Sequence, residues 1–263
     1  MMKKKALILL FLSLIASPLL EGQDSSGSAS AKRPINDYSM IGLSYGVTFS
    51  DMIFSPSKTG HSFIFSPNLV SLTYTKYSKM FGTLPYFGLV IGATMGNEGF
   101  MFKPNQESGY VNNADGAESC VIQVFEIPAM AQIHMDVEPA KIMVNAGVYG
   151  GWRSSIERSG STLDPAFTNS FKSYENRFDY GFQGGLGFGL MFDPIEIHFN
   201  CLVRWSWQSL YQPDYASQVY YNYATPLDIM ATVGIHFQIT KRRGKTSKEL
   251  RREAKEIVYG QQE

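Results

Sequence analysis

Three charged side chains, Glu126, Glu196 and Arg204, stand within long apolar-polar repeats that hold few other charges. A carboxylate and a guanidinium that face one enclosed space can form the gate of an ion path, or they can neutralise each other as a polar plug. An isolated buried charge is costly, so a narrow space needs its charges matched. The plug is therefore favoured, with Glu126 paired to Arg204.

The histidines are the other candidate ligands and bases. His134, His198 and His236 lie near one end of three predicted strands, on the same strand face as the three charged residues. His61 lies in a predicted loop. The first three could share a metal ion, or they could fill the same space as ordinary polar groups. None has zinc-ligand spacing to a cysteine or a carboxylate, and the strand of His134 is not adjacent to the other two. We therefore predict polar filling, with no metal and no cofactor.

Enzymatic modification of lipids would require a nucleophile beside a base. Three serines lie near one predicted strand end without a histidine predicted beside them, namely Ser154, Ser155 and Ser159. The acidic residues of two long connections lack the D-x-D-x-D-G spacing of a calcium loop, so solvated charge is favoured there. They are Glu98, Glu107, Asp115, Glu118, Asp164, Glu175 and Asp179. The sequence predicts no enzymatic activity.

Strands must position these residues, and the clearest strands form a hairpin from Asp179 to Gln208 with its turn at Asp193-Pro194. Each arm alternates with a period of two, which is typical of a strand. The apolar face of each arm is about thirteen residues long, twice the usual strand length in soluble proteins and suited to a tilted membrane strand. Its larger members are Tyr180, Phe182, Leu186, Phe188, Leu190 and Phe192 in the first arm, and Ile195, Ile197, Phe199, Val203, Trp205 and Trp207 in the second.

Six further segments alternate in the same way, which gives eight predicted strands. They are Met40 to Phe49, Asn68 to Tyr77, Pro85 to Met95, Val121 to Asp136, Lys141 to Trp152 and Asp228 to Ile239. The connections after strands two, four and six are short, and the other four are long. This alternation predicts an all-β, eight-stranded antiparallel up-and-down barrel in the bacterial outer membrane, with long loops outside and both termini in the periplasm.

The apolar face is predicted to meet lipid, because eight strands enclose too little space for its many aromatic residues. A lipocalin-like periplasmic carrier would turn that face inward. The opposite face supplies a predicted polar network in the lumen, formed by Glu126, Arg204, Glu196, His198, Gln183 and Asn145. Aromatics at the strand ends predict two membrane-interface belts. These are Trp152, Trp205, Trp207 and Tyr211 on the side of the long loops, and Phe192 and Phe237 on the side of the short turns.

The two ends of the chain differ from the barrel, predicted at residues 39–240. Residues 1–22 have the basic start and apolar run of a signal peptide, and 23–38 form a flexible leader. Residues 241–263 carry eight basic and four acidic side chains and a capping box at Thr246 to Glu249, which predicts a short periplasmic helix. This helix docks on a partner or on anionic inner-leaflet lipid, or it stays solvated. Without the signal peptide, 20 basic and 22 acidic residues remain, so nucleic acid is not a predicted partner.

Four phrases resemble the PorT-like outer-membrane β-barrel family over about Met40 to Ile239. They are Phe125-Glu126-Ile127-Pro128, Asn145 to Tyr149, Tyr180-Gly181 with Gly185 and Gly187, and Leu202-Val203-Arg204. The resemblance implies an eight-stranded outer-membrane barrel without enzymatic activity, in a family whose founding member is associated with protein secretion across the outer membrane. The tail after the last strand departs from the family pattern.

Three functions follow as hypotheses. The first is a non-enzymatic integral outer-membrane protein, in contact with lipid, whose loops or tail bind a partner in envelope assembly, protein secretion or surface interaction. The second is a small-solute porin, although open aqueous channels are typical of barrels with about sixteen strands or more. The third is the lipocalin-like carrier.

Cys120 and Cys201 fall on opposite faces, so no disulfide is predicted.

Overall fold

The computed structural model describes residues 37–55, 60–80, 84–103, 118–137, 139–160, 168–212 and 223–240. Nine strands lie within these ranges: β1 Tyr38–Ser55, β2 His61–Ser62, β3 Ile64–Met80, β4 Leu84–Phe102, β5 Ser119–Val137, β6 Ala140–Ser159, β7 Phe178–Met191, β8 Ile195–Ser206 and β9 Tyr223–Gln238. The predicted signal peptide and the predicted tail helix lie outside the described residues. Within the described ranges, no helix has the length and apolar character needed to cross a membrane.

Eight of the strands close into a ring. In the order β1, β3, β4 and so on to β9, each strand pairs antiparallel with the one that follows it. The pairing of β9 with β1 completes the circle. The two-residue strand β2 pairs with the end of β4. Because all ring neighbours are sequential, the up-and-down connection is confirmed. We call the end of the long connections the loop side and the other end the turn side.

The outer face of the ring is apolar and the inner face is polar. Leu186 on β7 and Ile133 on β5 are 64% and 60% exposed, whereas Gln183 and Asn145 on the inner parity are 6% and 3% exposed. Apolar surface of this extent requires a lipid environment. A lipocalin-like carrier needs the opposite arrangement, so that alternative is wrong.

Most strands continue past the predicted boundary on the loop side. β4 ends at Phe102 and not at Met95, and β6 ends at Ser159 and not at Trp152. The pairing of β5 with β6 shifts register at Gln123/Val124, where Ser154 has no partner. This bulge changes the inward parity of β6, so the alternation is interrupted although the strand continues.

Candidate functional site

Arg204 is the centre of a buried charge cluster near the loop side of the lumen. Its guanidinium donates to Glu126, and it donates to Asp228 from Nε at 2.8 Å and approaches Glu98 at 3.3 Å from Nη2. These four side chains come from β8, β5, β9 and β4, and none is more than 2% exposed. Three carboxylates from three strands therefore converge on one cation.

A second guanidinium, from Arg153 on β6, extends this cluster. Its Nε donates to Glu98 at 2.6 Å, and its Nη2 lies 3.1 Å from Asp179 Oδ1. The Tyr149 hydroxyl donates to Asp179 Oδ2 at 2.9 Å. We call the six charged residues the loop-side cluster: Glu98, Glu126, Arg153, Asp179, Arg204 and Asp228. Four acids meet two guanidiniums, so the cluster has a surplus of carboxyl groups.

A second cluster lies at the turn side of the lumen. Lys141 Nζ donates to Glu196 Oε2 and to the Tyr38 hydroxyl, both at 2.6 Å, and Tyr38 in turn donates to Glu196 Oε1 at 3.0 Å. His198 Nε2 lies 2.8 Å from Glu196 Oε2. This turn-side cluster joins β1, β6 and β8 and pairs one lysine with one glutamate.

A cavity of about 60 Å³ separates the two clusters. Polar groups of Gln183, Asn145 and Asn200 and the rings of His198 and His236 line it, together with apolar side chains that make up most of its surface. A space of this size has room for about four waters. The ring of His236 lies where a Cβ on Gly42 would stand, since that atom would be 2.1 Å from Nδ1, so glycine is required at Gly42. The cavity is a small chamber of mixed lining between two charged layers.

The predicted lumen residues occupy three levels of the barrel, not one network. Glu126 and Arg204 lie together at the loop side, Glu196 and His198 lie together at the turn side, and Gln183 and Asn145 line the chamber between them. The three inward histidines also separate, because His198 and His236 stack with ring centroids 3.9 Å apart while His134 binds Asp136 at 2.9 Å. Among the described residues, no group of His, Cys, Asp and Glu is placed to hold a metal ion.

Sequence reasoning missed five charged residues of the lumen. Lys141 and Asp228 stand on the inward parity at predicted strand ends, so parity alone could have identified them. Glu98 and Arg153 fall in predicted long connections, and Asp179, the first residue of the predicted hairpin, is grouped in the sequence with the acids of the connection before it. All three lie within the observed strands, whose bounds place them on the inward face.

Exposed aromatic residues form a belt across β5 to β8 at the loop side of the outer face. Phe125, Trp152 and Phe178 are direct cross-strand neighbours, and Trp205 and Trp207 continue the belt with 52% and 50% exposure. At the turn side, Phe192 and Phe237 are also exposed.

Tyr211 does not lie in the belt where it was predicted. Its side chain is only 5% exposed, and its backbone forms an isolated β-bridge with Glu175. β8 ends at Ser206, and the chain then turns back over the mouth of the barrel, which buries Tyr211.

Past the belt, the strands form a loop-side extension in which the polarity of β5 and β6 is inverted. Outward positions on β5 and β6 are now mostly polar, including Gln123, Ser154, Ser155 and Glu157. The inward positions form an apolar core in place of a polar lumen. Its members are Met52, Phe54, Phe100, Phe102, Cys120, Ile122, Val124, Ile156, Leu210, Tyr211 and Ala224. An apolar interior with a polar surface is the arrangement of a protein in water.

Part of the connection between β6 and β7 closes the extension. Phe171 and Tyr174 pack against the apolar core. Arg158, which is 2% exposed, donates to the Ser170 carbonyl at 2.8 Å and to Glu175 Oε2 at 2.6 Å. The segment is therefore a packed cap, whereas the sequence predicted a loop.

A family model described as "Outer membrane protein beta-barrel domain" matches residues 23–210. No curated protein matches the chain. The crystal structure of Neisserial surface protein A is similar, with 9% identity and a TM-score of 0.44 over 76% of this chain and 96% of that chain. The crystal structure of Ail of Yersinia pestis shows 12% identity and a TM-score of 0.39 over 77% and 100%. The solid-state NMR structure of AlkL in DMPC bilayers shows 9% identity and a TM-score of 0.38 over 85% and 100%.

Proposed function

Because the chain belongs to the outer membrane protein beta-barrel domain family and therefore lies in the bacterial outer membrane, we propose that it is a closed barrel whose loop-side extension binds a partner at the cell surface. In this proposal the protein is neither an enzyme nor a channel. Its long connections face the outside and both termini face the periplasm, as is usual for barrels with an even number of strands.

The observation that carries the proposal is the inverted polarity of the extension. A barrel that only crossed the membrane needs strands of about 9–11 residues. Here β6 has 20 residues and passes Trp152 by seven. The extra length has its own apolar core, so a folded body stands beyond the membrane band. A rigid body of this kind presents its surface in a fixed orientation, which lowers the entropic cost of binding a partner.

The lumen supports a closed barrel and argues against the porin alternative. Eight strands enclose space for side chains or at most one small ligand, and here the turn-side cluster, the chamber and the loop-side cluster occupy that space in succession. The apolar core of the extension follows them. A hydrated solute would have to displace paired buried charges and then cross apolar packing, and both steps are costly.

On the basis of the PorT-like resemblance, the proposed role of the protein is in envelope assembly or protein secretion. In that role the basic tail at 241–263 is the second binding element, on the periplasmic side. Its net positive charge suits an acidic protein surface or anionic lipid headgroups.

Two measurements test the proposal. The full-length mature protein in planar bilayers should show no stepwise conductance, whereas a porin would show it in every preparation. On intact cells, a cysteine at Ser155→Cys should react with a polyethylene-glycol maleimide too large to diffuse through porins and one at Gln238→Cys should not, both in a Cys201→Ser background. The reverse labelling pattern would place the extension in the periplasm and end the surface-binding proposal.

A further inference from the structure

The cap, residues 168–177, is attached to the extension by a buried cation of the wall. Arg158 on β6 donates from Nη2 to both carboxylate oxygens of Glu175, to Oε2 at 2.6 Å, and from Nη1 to the Ser170 carbonyl at 2.8 Å. Its backbone N–H donates to the Thr168 carbonyl at 2.8 Å. The side chains of Arg158 and Glu175 are at most 2% exposed. This ion pair is therefore a buried latch between the cap and the wall.

Aromatic side chains of the cap pack into a cup formed by the strands. Phe171 and Tyr174 lie against the apolar core of the extension. Within that core, the ring centroids of Phe54, Phe100 and Phe102 are 5.2 to 5.6 Å apart. The pairing of β1 with β9 and of β4 with β5 continues to the level of Phe54 and Phe100. Because these ladders fix the aromatic rings, the cup keeps its shape independently of the cap.

The cap is built of turns and is not part of the ring of strands. Its end is anchored where Asn176 donates from its backbone N–H to the Leu210 carbonyl at 2.7 Å and from Nδ2 to the Ser209 carbonyl at 3.0 Å. Opening of a segment outside the ladders costs less than separation of paired strands. The cap can therefore leave Arg158 while Asn176 acts as a hinge and the strands stay paired.

The opened cup combines an apolar floor with a guanidinium at its edge. A buried cation that loses its carboxylate is costly, so Arg158 favours a ligand that brings another carboxylate. The aromatic floor favours a ligand that also brings an apolar ring. The cap already presents both groups, since Tyr174 and Glu175 are consecutive residues. Its own sequence thus shows which chemistry the cup accepts.

We propose that the cap is an intramolecular ligand, and that the surface partner replaces it with a peptide segment that carries an acidic residue beside an aromatic one. This inference rests on the proposed surface-binding function and names the chemistry of its partner. A tethered segment competes at an effective concentration in the millimolar range. The cap therefore keeps the cup closed against peptides at low concentration and yields to a partner held at the cell surface.

A fluorescent synthetic peptide with the sequence of residues 168–177 tests the site by anisotropy, with the full-length mature protein in detergent. Glu175→Gln weakens the latch and should raise the affinity for the peptide by about tenfold or more over the wild type, as expected for loss of a charge-assisted hydrogen bond. Glu157→Gln is the matched control, because Glu157 points outward beside Arg158, and it should bind the peptide like the wild type. A peptide with glutamine in place of its glutamate should bind Glu175→Gln about tenfold more weakly.

Cys120 reports whether the peptide lies in the cup. It is 1% exposed in the core beneath the cap, and burial raises the pKa of its thiol to about 12, so it is unreactive while the cup is covered. In a Cys201→Ser background, Glu175→Gln should allow a maleimide to label Cys120, and the peptide should slow this labelling. Decanoate, a carboxylate on an apolar chain without a ring, should not slow it, and protection by decanoate would replace the peptide with a fatty acid as the ligand.

The site is overturned by equal affinity of the wild type and Glu175→Gln, by equal affinity of the two peptides, or by binding that leaves the labelling of Cys120 unchanged. Phe171→Ala loosens the cap without altering the ion pair and should also raise the affinity for the peptide, which gives a second test with a different variant. A gel-mobility difference between unheated and boiled samples verifies folding. Binding in detergent does not depend on which side of the membrane the extension faces, whereas labelling of Ser155→Cys on cells does, so the two proposals fail separately.

Discussion

The membrane band and the loop-side extension are built from the same strands, but the band has a polar interior and the extension an apolar one, with polar outward residues on β5 and β6. In the band, Val203 faces outward and is 46% exposed while Arg204 beside it is 2% exposed. In the extension, Ser155 faces outward while Ile156 beside it is 2% exposed. The alternation of a strand therefore reports only which residues share a face. The medium around each part decides which chemistry belongs on that face.

The two regions also differ in what stabilises them. The interior of the band is held by ion pairs and hydrogen bonds among buried charges, which are costly to leave unpaired. The interior of the extension is held by apolar packing, which depends on volume and shape. Substitutions of the same type should consequently have different effects in the two regions.

The largest effect should come from removing the central cation of the band. Arg204→Met leaves Glu126, Asp228 and Glu98 without their shared guanidinium and should lower the free energy of unfolding by about 3–5 kcal/mol. Urea unfolding in lipid vesicles, followed by tryptophan fluorescence, measures this change.

Asp228→Asn is the informative partner of that variant. Because four acids share two guanidiniums, loss of one negative charge brings the loop-side cluster closer to balance. It should cost clearly less than Arg204→Met. Equal costs would show that the surplus of carboxyl groups does not matter and that each ion pair acts alone.

A charge on the outward face should distinguish the two media directly. Val203→Arg places a cation in the membrane interior and should cost about 2–4 kcal/mol. Ser155→Arg makes the same kind of change on the outward face of the extension and should alter the free energy of unfolding by less than about 0.5 kcal/mol, as surface substitutions do. If both variants lose the same stability in the vesicle assay, the extension does not stand in water.

A small reduction in volume should matter only where packing is tight. Ile156→Val opens space in the apolar core of the extension and should cost about 1 kcal/mol. Ile142→Val on the lipid face should cost less, because lipid can fill the gap. Hydrogen exchange at the loop-side ends of β5 and β6 should increase in Ile156→Val alone, and protection that stays unchanged would contradict a packed core there.

The two cysteines should differ in reactivity without any change in stability. Cys201 is exposed on the lipid face and Cys120 is 1% exposed within the extension core. In vesicles, a lipid-soluble thiol reagent should modify Cys201 and leave Cys120 free until the protein is unfolded. Modification of Cys120 in the folded protein, seen by peptide mass spectrometry, would show that the cap does not close the core.

The sequence by itself determined the strands of the band, their number and the faces of their residues. Within one strand, the side-chain direction depends only on position along the chain, so Val203 and Arg204 could be assigned to opposite faces without knowledge of any partner. The pairing of Glu126 with Arg204 was a reasonable expectation for the same reason, since both lie on the inward parity of clear strands.

The tertiary structure decided which residues share a level of the barrel and where the medium changes. Glu98 and Arg204 are 106 positions apart, and only ring closure and strand tilt bring them within 3.3 Å. The bulge at Ser154 changes the parity of β6, so Ile156 and Arg158 point inward against the pattern of the preceding residues. Alternation is a local property, whereas register, closure and the height of the membrane surface depend on all eight strands together.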